Sequence, residues 1–370
     1  MEKLRTNNCC LGLVKINKYF WDKKKVLITG NTGFKGTWLS LLLKTLGAKI
    51  QGFSLPYHKE KRKLMFYDIN ASNLIQTNFG DIRNFKEINN AVQIFDPDVI
   101  FHLAAQPIVS ESYKNPKKTF ETNILGTLNI LESIKSSSKK IIIINVSTDK
   151  VYLNENEKKS FKERDIIGGD DPYSTSKYCA EAIINSYMSS IFNNSSIKLN
   201  SVRAGNVLGG GDWAINRLVP DCMRSIFEGE KINIRQLESV RPWQHILDPL
   251  NGYLKLVEYL VTCQEFSNEE SIMNFGPSKE YCNNVQYILE YIQKKTKKKI
   301  NQISGTSSFK ESKNLLINSD KAKKILNWKP KLNLECSLDL TIDWYTNYYK
   351  REKMLEYTLK QIDYFKELKL

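Results

Sequence analysis

The segment "YSTSK" places Tyr173 and Lys177 four residues apart, with Pro172 immediately before them. Proline is common in the first turn of a helix, so the segment predicts a helix that begins here. Residues four apart share one face of a helix, which puts the phenol beside the ammonium group. A phenol titrates near pH ~10, and a neighbouring positive charge stabilises its phenolate. The pair is therefore a candidate general base for a hydroxyl proton, although the same spacing also occurs by chance on ordinary helices.

A second group of polar residues follows an apolar run upstream, in "KIIIINVSTDKVY". Thr148 stands at the end of this predicted strand, and ligands bind at the carboxyl edge of a parallel sheet in such folds. We expect Thr148 to hydrogen-bond the reacting oxygen and to form a catalytic triad with Tyr173 and Lys177. Asp149 and Lys150 come next and are candidates for acid–base chemistry. The alternative is that these two residues simply begin a polar loop.

A glycine-rich segment, "ITGNTGFKGTW", joins a predicted strand to a predicted helix. Gly30 allows a sharp turn, Gly33 allows the backbone to approach a bound group, and Gly36 allows the helix to pack closely on the sheet. The start of the helix presents free N–H groups and a partial positive charge to a diphosphate. The segment, with Thr32 and Phe34, is interpreted as a dinucleotide site. The alternative is a tight turn with no ligand.

Short apolar runs alternate with helical patterns around these motifs. Strands are predicted in "KVLITG", "KIQGFSL", "NLIQTNFGDI", "DVIFHLAA" and "KIIIINVST". Helices are predicted in "TWLSLLLKTLG", "FKEINNAVQIF" and "TFETNILGTLNILESIK". Continuous apolar strands separated by helices predict an α/β fold with a doubly wound parallel (Rossmann) sheet.

The regular alternation weakens after about residue 205, which predicts a smaller, mainly C-terminal substrate-binding lobe. The expected units are an N-terminal extension at 1–22, an NAD-binding Rossmann domain at 23–204 to which residues 236–270 return, a lobe at 205–235 and 271–348, and a C-terminal helix at 349–370. In this last helix one face carries Leu355, Leu359, Ile362 and Phe365, so we expect it to pack on the body or on a second subunit.

Composition excludes several classes of protein. The chain of 370 residues has a net charge of +15, but its lysines are spread along the sequence, which favours a basic surface or an anionic small substrate over nucleic acid. Seven scattered cysteines and the distant His58, His102 and His245 predict reduced thiols and no metal site. The sequence has no apolar run of membrane-spanning length and no clear secretory signal, so we expect a cytoplasmic protein with no membrane partner.

The spacing G-x-x-G-x-x-G, together with "GDIRN" and "HLAAQ", resembles the extended branch of the short-chain dehydrogenase/reductase superfamily. The resemblance implies that Asp81 and Ile82 contact an adenine. It also implies that four residues lie beside the ribose and diphosphate, namely Leu103, Ala104, Ala105 and Gln106.

Ser54 stands at the end of the second strand, where an acidic residue would accept hydrogen bonds from the adenosine 2′-hydroxyl. Because serine stands in place of the acidic residue, this strand does not decide whether the cofactor is NAD or NADP. We expect NAD, because a cofactor that is reduced and reoxidised within one turnover need not draw on the NADPH pool.

The triplet Thr148-Asp149-Lys150 resembles the nucleotide-sugar 4,6-dehydratases. Many of those enzymes carry Asp-Glu at the last two positions, with the glutamate as the base at C5. Lysine at this position is a departure that the CDP-glucose 4,6-dehydratases share, and the segments "RAGNVLGGGDWAINRLVPD" and "RPWQHILDPLNGYL" are similar to theirs as well.

This resemblance implies the conversion of CDP-glucose to CDP-4-keto-6-deoxyglucose and water, for deoxysugar and lipopolysaccharide biosynthesis. Tyr173 would take the C4 hydroxyl proton, and Asp149 would protonate the departing C6 hydroxyl. Lys150 would be the C5 base if its surroundings depress its pKa from ~10.4, or a fixed charge that stabilises the enolate.

The same segments imply the substrate contacts. Asn206 would contact the sugar or diphosphate, and Arg217 and Arg241 would bind phosphates. Trp213 and Trp243 would stack on the nucleotide or shape its pocket, unless they only pack within the lobe.

Two alternatives stay open: another dehydratase or 4-epimerase of the same branch, and a non-catalytic nucleotide- or nucleic-acid-binding protein. Relatives commonly form dimers or tetramers through helices that this sequence places near residues 115–136 and 172–192.

Overall fold

The computed structural model describes residues 16–57, 63–154, 159–193, 195–234, 236–263, 271–304 and 314–368. The helices are α1 (Lys18–Trp21), α2 (Phe34–Thr45), α3 (Met65–Asp68), α4 (Phe85–Phe95), α5 (Val109–Lys114), α6 (Pro116–Phe120), α7 (Gly126–Ile134), α8 (Pro172–Ser186), α9 (Leu218–Glu228), α10 (Leu247–Thr262), α11 (Val285–Thr296), α12 (Asp320–Leu326), α13 (Leu334–Tyr349) and α14 (Met354–Glu367). Across these ranges, the structure contains no helix with the length and apolar character needed to cross a bilayer.

The strands are β1 (Lys25–Thr29), β2 (Lys49–Ser54), β3 (Gln76–Phe79), β4 (Val99–His102), β5 (Ile142–Val146), β6 (Ser160–Phe161), β7 (Lys198–Ala204), β8 (Val207–Leu208), β9 (Ile232–Ile234), β10 (Val240–Arg241), β11 (Gln244–His245), β12 (Ile272–Phe275), β13 (Asn283–Asn284), β14 (Gln302–Ser304) and β15 (Leu316–Ile317). Seven of them form one sheet in the order β12-β7-β5-β4-β1-β2-β3. Every neighbouring pair in this sheet is parallel. The predicted α/β fold with a doubly wound parallel sheet is confirmed.

Helices cover both faces of the sheet, because successive strand residues point to opposite sides. Leu27, Ile100 and Ile143 are buried together with residues of α4, α7 and α8. Their neighbours Val26 and Ile144 are buried on the other side, in a core shared with α2 and α10. Burial on both faces explains why these strands read as continuous apolar runs.

One predicted domain boundary is wrong. Residues 271–348 were assigned to the smaller lobe, but β12 pairs in parallel with β7 and is the last strand of the main sheet, with Met273 opposite Val202. The smaller lobe is built from short pairs of strands, including β9 with β14 and β10 with β13, and from helices such as α9, α11 and α13. The strands β6 and β15 form a further parallel pair that joins the two regions.

Both ends of the described chain pack on the body. Helix α14 contacts α13 and α2 and buries Ile362 and Phe365, on the face that the sequence predicts. At the other end, residues 16–22 do not behave as a free extension: Trp21 is fully buried, and its Nε1 donates a hydrogen bond of 2.7 Å to Glu258 of α10. Residues 1–15 of the predicted extension lie outside the described residues.

Replacing Trp21 with alanine tests whether helix α1 belongs to the folded body. Loss of a fully buried tryptophan leaves a cavity and removes one of the two hydrogen bonds to Oε1 of Glu258, so we expect Trp21→Ala to lower the free energy of unfolding by about 3–5 kcal/mol. Urea denaturation measures this change. Tyr19→Ala is the matched control, because Tyr19 is 94% exposed on the same helix. Equal stability of the two variants would contradict the structural role of α1.

Candidate active site

The glycine segment forms the turn between β1 and α2. Gly30 has a φ of +74°, and a Cβ there would lie 2.8 Å from the backbone nitrogen of Ala104. A Cβ on Gly36 would lie 2.2 Å from the carbonyl oxygen of Gly30. Only glycine therefore lets this turn close and lets α2 start directly against it. The N-terminus of α2 consequently opens into a cavity at the carboxyl edge of the sheet.

This larger cavity, of about 920 Å³, contains almost all of the predicted cofactor residues. Its lining includes Gly30, Thr32, Gly33, Phe34, Gly36, Ser54, Asp81, Ile82, Leu103, Ala104, Ala105, Tyr173 and Lys177. The glycine turn and the helix that carries Tyr173 and Lys177 come from distant parts of the chain, and the fold brings both to the wall of this one cavity.

Gln106 does not line this cavity, contrary to the sequence prediction. Its side-chain Nε2 donates hydrogen bonds to the carbonyl of Ile108 at 3.1 Å and to Oγ1 of Thr119 at 2.9 Å. Its backbone N–H donates to Oδ1 of Asn123, which lies in a π-helical turn between α6 and α7. The hydrogen bonds of Gln106 therefore hold the loop after β4 in place, and its side chain does not line the cavity.

The end of the cavity near β2 is closed by a local hydrogen-bond network. The Ser54 hydroxyl donates to Oδ1 of Asn31 at 2.8 Å and accepts from the backbone of Thr32 at 3.3 Å. Nearby, Arg83 pairs with Asp81 at 2.6 Å and with Glu121 at 3.3 Å. The hydrogen bond from Arg83 lowers the pKa of Asp81 below its usual value.

Helix α8 is anchored so that Tyr173 and Lys177 lie at the end of β5. Asp171 caps the helix by accepting a hydrogen bond of 3.0 Å from the backbone of Ser174. Lys177 is buried, and its Nζ donates to the carbonyl oxygen of Val146, the last residue of β5, at 2.7 Å. This bond fixes the face of α8 that carries Tyr173 against the edge of the sheet.

Burial shifts the pKa values of Tyr173 and Lys177 in opposite directions, because it disfavours the charged form of each side chain. Burial raises the pKa of Tyr173 to about 12, while a hydrogen bond with Thr148 and the charge of Arg217 act in the opposite direction. Burial lowers the pKa of Lys177 to about 8, partly offset by Glu181. The charge of Arg217 thus lowers the pKa of Tyr173, which is the effect that the sequence analysis expects from a neighbouring positive charge.

Asp149 lies in the short turn after β5. The Thr148 hydroxyl donates to Oδ1 of Asp149 at 3.2 Å and accepts from the backbone N–H of Lys150 at 3.3 Å. Within the described residues, Oδ2 of Asp149 is buried and has no hydrogen-bond partner. A Cβ on Gly205 would lie 3.2 Å from this oxygen, so glycine keeps the space beside it open.

Burial raises the pKa of Asp149, although the positive charge of Lys150 and the hydrogen bond from Thr148 reduce the effect. A carboxyl group whose neutral form is favoured, and whose second oxygen is unpaired, is suited to donate a proton. Asp149 therefore has the environment of a general acid.

A smaller cavity of about 340 Å³ adjoins the larger one and holds most of the predicted catalytic and substrate residues. Its lining includes Thr148, Asp149, Lys150, Tyr173, Asn206, Arg217, Arg241 and Trp243. Tyr173 and Arg217 line both cavities. The phenol and the buried carboxyl group thus face one shared space.

Trp213 lies apart from the other predicted substrate residues. It lines only the larger cavity, and its ring packs against Tyr345 and Tyr348 with Lys63 Nζ 3.7 Å from the ring centroid. Trp243 lines the smaller cavity, and its Nε1 donates to the carbonyl of Asn283 at 3.0 Å. The two tryptophans therefore have different surroundings, and the placement of Trp213 favours packing in the lobe.

No group of three histidine, cysteine, aspartate or glutamate side chains arranged to hold a metal ion occurs in the part of the chain that the structure describes.

Comparison with known proteins identifies the family. Residues 27–341 match the family described as GDP-mannose 4,6 dehydratase. This chain belongs to the GDP-mannose 4,6-dehydratase family. The resemblance stated from the sequence is thereby confirmed.

Individual members and neighbours of the family agree with this assignment. The chain is 36% identical to CDP-glucose 4,6-dehydratase of Salmonella typhimurium, over 94% of this chain and 97% of that protein. It is similar in structure to dTDP-glucose 4,6-dehydratase of Bacillus anthracis in complex with NAD, with a TM-score of 0.71 and 22% identity, covering 90% of this chain and 99% of that chain. It is also similar to UDP-glucuronic acid 4-epimerase of Bacillus cereus in complex with UDP-glucuronic acid and NAD, with a TM-score of 0.74 and 22% identity, covering 87% and 99% of the two chains. These two likenesses show the shared fold.

Two charged residues of this family member are absent from the sequence predictions. Lys35 of α2 lines both cavities, and Asp212 holds Arg217 through a salt bridge of 2.6 Å. A lysine in the first turn of a helix is electrostatically unfavourable, and that signal was available in the sequence. The role of Asp212 follows from its contacts in the folded protein, and no sequence motif around it predicts that role.

Replacing Gly36 with alanine tests the close approach of α2 to the glycine turn. The new Cβ would overlap the Gly30 carbonyl, so we expect Gly36→Ala to lower the melting temperature and to weaken NADH binding, with an overpacking cost of about 1–3 kcal/mol. Differential scanning fluorimetry and nucleotide fluorescence measure the two effects. In the control Gly168→Ala, the nearest atom to the new Cβ is 3.9 Å away. Unchanged NADH affinity in Gly36→Ala would contradict the proposed close packing.

Proposed function

We propose that the chain is a CDP-glucose 4,6-dehydratase, which converts CDP-glucose to CDP-4-keto-6-deoxyglucose and water. The observation that carries this proposal is that Tyr173 and Asp149 line one cavity, which adjoins the cavity of the glycine turn. In the described residues, one carboxyl oxygen of Asp149 has no hydrogen-bond partner. The 36% identity with the Salmonella typhimurium enzyme over nearly the full length of both chains supports the same substrate.

The larger cavity fits NAD. Gly30 and Gly36 let the turn close tightly against the backbone, so that α2 can offer its N-terminal N–H groups to a diphosphate in this cavity. Arg83, a basic residue of the same cavity, is already engaged by Asp81 and Glu121, which favours NAD over the more anionic NADP. When bound, NAD would accept the hydride from C4 of the sugar and return it to C6 within one turnover, and a proton added back at C5 would complete the 6-deoxy product.

In the first step, Tyr173 takes the proton of the C4 hydroxyl as that carbon is oxidised. A buried phenol with a raised pKa stays protonated at neutral pH, so its phenolate must be stabilised before it can act as a base. Thr148 and Arg217 already act in this direction in the structure. Thr148 lines the same cavity as Tyr173 and would hold the reacting oxygen.

In the second step, Asp149 protonates the C6 hydroxyl, which leaves as water. The new C4 ketone acidifies the hydrogen at C5, and a base removes it. Lys150 lines the same cavity and is placed either to act as that base or to stabilise the enolate charge. Solvent-deuterium wash-in at C5 with Lys150→Met tests the base role, because retained wash-in would rule out Lys150 as the C5 base.

The nucleotide end of the substrate is assigned to the smaller cavity. Asn206, Arg217 and Arg241 line it and would bind the sugar and the diphosphate, and Trp243 would shape the wall of the pocket. Arg217 is held by Asp212, so its guanidinium is oriented before a ligand arrives. Trp213 has no assigned contact with the nucleotide in this proposal.

A 4-epimerase of the same fold is the principal competing activity. Epimerisation removes and replaces hydrogen at C4 and needs no acid at C6. Dehydration does need one, and Asp149 is a buried carboxyl group with a raised pKa and one oxygen that has no hydrogen-bond partner in the described residues. Asp149 therefore favours dehydration. A dehydratase for another nucleotide-glucose remains a matter for direct assay.

We also propose a cytoplasmic homo-oligomer, either a dimer or a tetramer. Leu125, in the π-helical turn between α6 and α7, is 46% exposed, as is Ile191 beyond the end of α8. These apolar side chains lie on the two segments through which relatives associate, and a second copy would cover them.

Incubation with a panel of CDP-, dTDP-, UDP- and GDP-glucose tests the function. We expect CDP-glucose to lose one water, detected by mass spectrometry and by the absorbance of the 4-keto sugar in alkali. The expected turnover needs no added reductant. A product with the mass of the substrate would instead indicate epimerisation, and turnover of a different nucleotide-glucose would correct the substrate.

Replacing Asp149 with asparagine tests the acid. We expect Asp149→Asn to lower the dehydration rate by about 10²–10⁴-fold, because the leaving hydroxyl loses its proton donor. Deuterium wash-in at C5 persists in this variant, since oxidation at C4 and proton removal at C5 come first. Asp363→Asn, on the exposed face of α14, is the control.

The pH dependence gives a second measurement on Asp149. Its pKa is raised by burial, so the protonated acid persists to higher pH than in an exposed carboxyl group and is lost as the pH rises through that value. The wild-type dehydration rate should fall along this limb, and the Asp149→Asn rate should not. Wild-type activity in the variant would exclude the acid role.

A further inference from the structure

Lys35 occupies an unusual place between the two cavities. It is the second residue of α2 and lines both the larger and the smaller cavity, as Tyr173 does. Its Nζ has no hydrogen bond or ion pair in the described parts of the chain. The side chain is therefore directed into the space that would hold ligands, with no protein partner there.

The surroundings of Lys35 disfavour a free positive charge. Burial, Arg217 and Lys177 lower its pKa to about 8, while Asp149 and Asp212 act in the opposite direction. The start of helix α2 adds a partial positive charge of its own. A partly buried ammonium group without an acceptor costs free energy, so a bound oxygen acceptor would relieve this cost.

The lining of the two cavities indicates which part of a ligand Lys35 meets. Asn206 and Arg241, assigned above to the diphosphate, line the smaller cavity only, whereas Lys35 lies at the junction with Tyr173. Asp149 is also close enough to act on the charge of Lys35. In the proposed reaction, Tyr173 and Asp149 face the hexose at C4 and C6.

We propose that Lys35 is a further substrate-binding residue, whose ammonium group donates a hydrogen bond to a hydroxyl oxygen of the hexose beside Asp149. The inference rests on the proposed function for the presence of a hexose, and it is independent of which nucleotide carries that hexose. Lys35 then distinguishes a nucleotide sugar from the bare nucleoside diphosphate, and it holds the hexose between the phenol and the carboxyl group.

Calorimetric titration of Lys35→Met with CDP-glucose and with CDP tests this role. A hydrogen bond from a charged donor is lost only for the sugar nucleotide, so we expect CDP-glucose to bind about 10–100-fold more weakly and CDP to change by less than about 3-fold. Lys44→Met is the matched control, because Lys44 is exposed near the other end of α2. Thermal unfolding and NADH fluorescence check that the fold and the larger cavity are intact.

Two results would overturn the inference. Equal weakening of CDP and CDP-glucose would assign Lys35 to the diphosphate, and unchanged affinity for both would remove it from the site. Lys35→Gln, which keeps a donor but no charge, replaces the methionine variant if that variant does not fold.

The wild-type protein separates this inference from the proposed function. If it dehydrates another nucleotide-glucose, the titration uses that compound and its diphosphate. A wild-type protein that binds no nucleotide-glucose would end both proposals, whereas normal dehydration with unchanged affinity in Lys35→Met would end only the inference about Lys35.

Discussion

The hydrogen bond from Lys177 to the Val146 carbonyl is the contact on which the active site depends. It joins helix α8 to the carboxyl end of β5, the two elements that supply Tyr173, Thr148 and Asp149. Burying an ammonium group is costly unless it finds an acceptor. The last carbonyl of a parallel strand is such an acceptor, so the lysine one helical turn from Tyr173 also fixes the register between helix and strand.

Burial has opposite consequences for the two acid–base residues that share the smaller cavity. It raises the pKa of Asp149 and that of Tyr173, because both groups are negatively charged when ionised. For Asp149 the shift favours the proton donor that dehydration needs. For Tyr173 it opposes the phenolate, which must then be stabilised by positive charge. The arginine and lysine side chains around the cavity supply that charge, and they also attract an anionic substrate.

The predictable part of the fold is the part determined by local pattern. The strand of β1 and the helix of α2 follow from an apolar run and an apolar helical face within one segment. Strand β12 was missed because four residues, "IMNF", carry little pattern of their own and join the sheet through β7, about 70 residues earlier in the chain. Long-range pairing of this kind is decided by tertiary packing.

The residues of the candidate site also fall into two groups: those that a sequence motif predicts, and those whose side-chain placement depends on tertiary contacts. Residues tied to a motif, such as Gly30, Tyr173 and Asp149, lie at the two cavities, and their roles stay predictions. Gln106 and Trp213 belong to similar segments, but hydrogen bonds direct the Gln106 side chain away from both cavities, and Trp213 lines the larger cavity with its ring packed against Tyr345. Side-chain direction depends on neighbours that sequence does not reveal. Lys35 is the opposite case. It lines both cavities, but the sequence prediction for its segment named other residues of the motif and not this lysine.

The glycine-rich segment "LGGGDW" connects the two regions of the molecule through contacts that need glycine. Trp38 of α2 donates to the carbonyl of Gly210 at 3.0 Å, and a Cβ on Gly210 would lie 1.9 Å from the ring of Trp344 in α13. Tyr345 of the same helix donates to the carbonyl of Asp212 at 2.5 Å. Gly210 therefore serves close packing between α2 and α13 rather than flexibility.

That packing determines where Arg217 lies. Asp212 is held by Tyr345 through its backbone and holds Arg217 through its carboxylate, and Arg217 in turn lowers the pKa of Tyr173. The charge that assists the phenol is thus positioned by a helix of the smaller lobe, while the phenol itself is positioned by the main sheet. In the proposed reaction, proton transfer at the hexose would therefore depend on both regions being packed together, which gives a physical reason for a site at their junction.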